Sequence, residues 1–119
     1  MSRLTPVIML TASLLGAPAP AFAHAFLDHA EPRVGNTVSS APHEVKLYFT
    51  QKLEAAFSTL EVTDASGQRV DAGKPRVSGN EMAVSLKGGG GPGTYRVNWH
   101  VLSVDTHTTE GNFTFTVGK

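Results

Sequence analysis

Apolar and polar residues alternate in five short runs along this chain. Val45, Leu47 and Phe49 are interleaved with Lys46, Tyr48 and Thr50, and Leu60 and Val62 with Thr59, Glu61 and Thr63. The same period recurs in Met82/Val84/Leu86, Tyr95/Val97/Trp99/Val101 and Phe113/Phe115/Val117. A period of two puts one side of each run on a core and the other in water, so each run predicts a half-buried strand. From residue 24 onward no stretch sustains the i, i+3, i+4, i+7 spacing of an amphipathic helix. Turn-forming residues separate the runs at 32–35, 64–67, 78–80 and 88–93. Residues 51–57 break the alternation; Leu53 and Phe57 are four apart, which predicts one helical turn or a loop plugging an end of the core. The expected fold is all-β, an antiparallel Greek-key sandwich or small barrel of about seven strands.

The first 23 residues follow a different rule. Arg3 is a short positive head, residues 7–16 are apolar, and Ala21-Phe-Ala23 is a small-x-small cleavage sequence. This is the layout of a secretory signal peptide cut after Ala23. The apolar stretch is too short to span a bilayer, and Pro18 and Pro20 interrupt it. The expected mature chain therefore runs from His24 to Lys119 as a single exported domain.

Composition narrows the chemistry. Ten basic side chains balance ten acidic ones, with no basic run, so there is no electrostatic footprint for nucleic acid. With no cysteine there is no disulfide, no thiolate metal site and no thiol nucleophile. The glycine run at 88–91 lacks the following Lys-Ser/Thr of a phosphate loop and reads as a flexible turn. Ser103, Asp105 and His107 have the residue types of a hydrolytic triad. They are too close in sequence to surround one reacting atom as nucleophile, base and orienter.

Metal binding is better served. A leading His24 would offer its α-amine and its imidazole Nδ1 as a chelate, and an amine with a pKa near 8 yields its proton to a metal at neutral pH. Asp105 and His107 flank one residue, so in an extended segment both point to the same side. Together these residues would supply three nitrogens and a carboxylate, a set suited to the tetragonal preference of Cu(II), with zinc the competitor. The spacing of Asp105 and His107 alone favours a plainer reading, a turn aspartate and a surface histidine. His43, in a turn, His100, opposite in parity to Trp99, and His29, near the first turn, are each expected not to be ligands; His29, five residues after His24, is the nearest to an exception.

The assembled pattern resembles the CopC family of periplasmic copper-binding proteins. The resemblance is carried at the head by His24-Ala-x-Leu27, Pro32, Gly35, Pro42 and Val45-x-Leu-x-Phe49. At the tail it is carried by Gly93-Thr-Tyr-x-Val-x-Trp99, Ser103-x-Asp-x-His107, Gly111 and Phe113-x-Phe-x-Val117. It implies a seven-stranded cupredoxin-like or immunoglobulin-like fold in the periplasm. It also implies Cu(II) held by the amine and imidazole of His24 with Asp105 and His107. A second, methionine-rich Cu(I) site found in some members is not implied, because Met82 is the single methionine after residue 23 and its parity points inward. Where some members carry a glutamate near copper, this chain has Gln51.

The resulting expectation is a monomeric, non-enzymatic carrier or buffer of Cu(II) that passes copper to a membrane importer of the CopD type. Two alternatives stand beside it. A small copper oxygenase would use the same amine-plus-two-histidine arrangement on a glycan, and a plain sandwich interaction module would make His24 incidental.

Overall fold

The structure, a computed structural model, describes residues 25–119. Eight strands form two four-stranded sheets. The first sheet is ordered β1 (Leu27–Glu31), β3 (Glu44–Phe49), β6 (Glu81–Leu86), β5 (Asp71–Ser78). The second is ordered β2 (Thr37–Val38), β8 (Thr108–Val117), β7 (Gly93–Leu102), β4 (Thr59–Thr63). All pairings are antiparallel except β2 with β8. The architecture is the expected β-sandwich.

The alternation in the sequence becomes the core between the sheets. Val45, Leu47, Phe49, Met82 and Val84 face inward from one sheet; Leu60, Val62, Tyr95, Val97, Val101, Phe113, Phe115 and Val117 face inward from the other, all buried. One aromatic pair stands within the second sheet and one joins the two sheets. Tyr95 stacks on Phe115 with ring centroids 5.3 Å apart, and its hydroxyl donates to the Gly91 carbonyl at 2.6 Å. Trp99 meets Phe49 edge-on at 5.1 Å. On the other side of the Trp99 ring lies Gly111, where an added Cβ would come within 2.5 Å of the indole. That close approach is why a residue usually poor in strands stands mid-strand here.

Three elements depart from the sequence expectation. β2 is a two-residue strand, which raises the count from seven to eight. β5 showed no alternation because it is an edge strand with a bulge between Ala72 and Arg76, and its Gly73-Lys74-Pro75 stretch would be excluded from a central strand. In residues 51–57 only half the expected plug forms. Leu53 is buried, whereas Phe57 ends a single 3-10 turn, Ala55–Phe57, at 65% exposure.

Candidate metal centre

Asp105 and His107 sit in the loop joining β7 to β8. The last strand pair is Leu102 with Thr108, leaving residues 103–107 to reverse the chain. Ser103 N donates to His107 O and Thr106 N donates to Ser103 O, both at 2.9 Å, and Thr106 has φ 73°. This is a three-residue hairpin loop whose third residue is left-handed. Glycine or asparagine usually occupies that position; a β-branched threonine there is strained.

The loop is clamped on both sides. Leu53 bridges to Ser103, Glu54 N donates to Leu102 O at 2.8 Å, and Val104 N donates to Lys52 O at 3.0 Å. The start of the described chain is held at the same end of the sandwich. Ala25 is fully buried, and its carbonyl accepts a 2.6 Å bond from the Thr109 hydroxyl, two residues past His107. Phe26 and Thr50 exchange a second pair of bonds at 2.9 and 3.0 Å.

Within this frame His107 Nδ1 lies 3.3 Å from Asp105 Oδ1, with the two side chains 43% and 34% exposed. Two donors about 2 Å from one ion in adjacent square positions stand about 2.8 Å apart, so this pair is close to the spacing one ion needs. The Ser103 hydroxyl also donates to Asp105 Oδ1. That bond, opposed by desolvation and reinforced by the ring and amide of His107, holds the Asp105 carboxyl below the usual carboxylate range. Asp105 is therefore a carboxylate at neutral pH, the form that binds metal.

The sequence expected a strand to bring Asp105 and His107 to one side. A turn does it instead, with left-handed Thr106 between them. Ser103 is fully buried and bonds to the carboxylate and, at 3.1 Å, to the His107 carbonyl, so it is no nucleophile for the imidazole to activate. Its role was readable from parity: Ser103 continues the inward series Val97, Val101 at the mouth of the core.

The other candidates lie elsewhere. His29 is on the outer face of the first sheet, stacked on Tyr48 at 4.3 Å and bonded to Asp28 at 3.0 Å, so it does not join Asp105 and His107. His100 faces outward 4.0 Å from Glu110, and His43 is exposed before β3. Gln51 is half-buried in a groove of about 420 Å³ lined by Thr50, Lys52, Gly79, Asn80 and Val104, with neither Asp105 nor His107 in the lining. His24 and the expected cleavage site lie outside the described residues. Among the described residues no three His, Asp or Glu side chains are grouped to hold an ion, so Asp105 and His107 need a further donor.

Comparison with known proteins agrees with the sandwich. Residues 27–118 match the CopC domain. The chain is 37% identical over 121 residues to copper resistance protein C of Xanthomonas campestris pv. juglandis, covering 95% of this chain and 93% of that one. The crystal structure of CopC from Methylosinus trichosporium OB3b superposes with a TM-score of 0.74 at 32% identity, over 80% of this chain and 94% of that one. PcoC, a methionine-rich copper resistance protein from Escherichia coli, superposes at 0.70 with 33% identity, over 80% and 99% of the two chains. A domain match across almost the whole described chain, with the same two-sheet architecture, means that the chain belongs to the CopC family.

Proposed function

We propose that this protein is exported, loses its leader after Ala23, and carries or buffers Cu(II) in the periplasm without catalysing a reaction. The copper is held by the amine and imidazole of His24 together with Asp105 and His107. One observation carries the reading: the Asp105–His107 pair stands at the end of the sandwich where the chain is pinned at Ala25 by Thr109. Residue 24 precedes Ala25 by one peptide, a Cα step of about 3.8 Å, so an N-terminal chelate is within reach of the pair. Relatives named for copper resistance support copper as the ion. The ligand set favours the divalent state, because the soft thioether of Met82 is buried in the core. The carrier acts as a monomer and delivers its ion to a membrane importer of the CopD type.

The test is a Cu(II) competition titration of protein beginning at His24 against protein beginning at Ala23. The extra residue converts the amine into an amide nitrogen and changes no side chain. Affinity is expected to fall by orders of magnitude, since loss of a direct ligand exceeds the roughly 10- to 100-fold cost of disturbing a supporting group. Equal affinities with equal melting curves would overturn the reading.

A further inference from the structure

Among the described residues two serines are buried, Ser58 and Ser103. A hydroxyl taken out of water is costly unless it is hydrogen-bonded, and alanine would fit either site without that cost. Each serine therefore calls for a reason. Ser58 has a backbone one: its hydroxyl donates to Glu54 O at 2.9 Å and accepts from Leu102 N at 3.3 Å, closing the 3-10 turn against β7.

Ser103 is different. Its N and O already close the hairpin loop, with His107 and Thr106 respectively. Its hydroxyl has two acceptors in reach, Asp105 Oδ1 and His107 O, and only one hydrogen to give. The carboxylate is the charged and the closer acceptor, and charge-assisted bonds are the stronger kind. The hydroxyl and His107 Nδ1 thus converge on the same oxygen, Oδ1. This fixes the rotation of a carboxylate that otherwise projects from a surface loop, with Oδ1 turned toward His107 Nδ1.

We propose that Ser103 is a positioning residue for the copper site, its buried hydroxyl holding Asp105 in the orientation that ligates the metal. This rests on the copper reading above. Ser103 touches no ion itself; it acts through Asp105. Groups that orient a ligand typically govern about 10- to 100-fold of metal affinity, which sets the expected effect.

The experiment uses protein beginning at His24 and Cu(II) as the probe, with competition titration and electron paramagnetic resonance as readouts. Ser103→Ala is expected to lower Cu(II) affinity about tenfold and to shift the parallel g and hyperfine values. Ser58→Ala is expected to lower the melting temperature of the metal-free protein and leave affinity and spectrum at their parent values. Ser103→Thr and Ser103→Val are nearly the same shape and differ in the hydroxyl, so they cancel any packing effect at this buried position. The threonine variant is expected to bind as the parent does and the valine variant as Ser103→Ala does. Parent-like affinity and spectrum in Ser103→Ala, or identical behaviour of the threonine and valine variants, would overturn the proposal, provided that Asp105→Ala weakens binding. Full Cu(II) affinity in Asp105→Ala would overturn the reading of the site itself, and the role of Ser103 with it.

Discussion

Gly111→Ala is a one-methyl change whose effect follows from the packing of Trp99. The added Cβ would lie 2.5, 2.9 and 3.2 Å from three atoms of the indole. Carbon atoms prefer about 3.5–4.0 Å, so the nearest contact is about 1 Å too short. Phe49, 1% exposed, packs edge-on against the ring with centroids 5.1 Å apart, so moving the indole disturbs a core contact. Relief must come from strained rotamers or from parting β7 and β8, and overpacking of this kind costs about 1–3 kcal/mol. Against it, exchanging a strand glycine for alanine gains roughly 0.5–1 kcal/mol of backbone entropy. Taken at the middle of both ranges, the net loss is about 1 kcal/mol, or a melting temperature lower by about 4–8 °C for a domain of this size. The assay is urea and thermal unfolding of the metal-free protein as a double-mutant cycle with Trp99→Leu, which removes the ring. In that background Gly111→Ala should become neutral or stabilising. A variant as stable as the parent, or an equal loss in both backgrounds, would refute the argument.

His107→Ala should reduce Cu(II) affinity by well over roughly 100-fold and Asp105→Ala by less, roughly 100-fold, while His43→Ala and His100→Ala leave it unchanged; equal losses in all four would mean nonspecific uptake. Thr106→Gly should stabilise the metal-free protein by about 0.5–1 kcal/mol in urea melts. Left-handed strain of about 1–2 kcal/mol is released and part is returned as unfolded-chain entropy, whereas Thr106→Ala keeps the strain and should give no such gain. Asp71 accepts from both nitrogens of the Arg69 fork at 3.2 and 2.7 Å and from Val62 N at 2.9 Å. Burial acts to raise its pKa, but these bonds together bring it below the usual value. Its folded pKa is therefore lower than the unfolded one, near 3.9, so its contribution to stability is complete above that value and disappears as pH falls through the folded pKa. Asp71→Asn should flatten the fall in melting temperature between about pH 4 and pH 2, and an unchanged acid limb would show that the Arg69 contact contributes nothing.

The inward residues of β3, β4, β7 and β8 were legible in the sequence because each strand has one wet face and one dry face, and a period of two records that difference directly; in central β6 Met82 and Val84 keep the period although Ala83 between them is buried too. β5 was hidden for the same reason: an edge strand with both faces partly wet and a bulge at Gly73 writes no period. Asp105 and His107 were legible as residue types, and their spacing brought them to one side under the wrong local geometry, a strand where the chain makes a turn. The outward positions of His43 and His100 followed from turn and parity, but that of His29 did not. Five residues from His24 along the chain, it faces outward on β1, stacked on Tyr48.

What the sequence by itself determined was the class of fold, the membership of the core and the donor types available for a metal, all of which depend on local pattern or composition. What only the tertiary structure decided was which of those donors meet. The bridge from Leu53 to Ser103, the bond from Val104 to Lys52, and the bond from Thr109 that pins Ala25 across 84 residues of chain all arise where separate segments converge at one end of the sandwich. Distance along the chain carries no information about such contacts. They are set by which loops two packed sheets bring to the same edge.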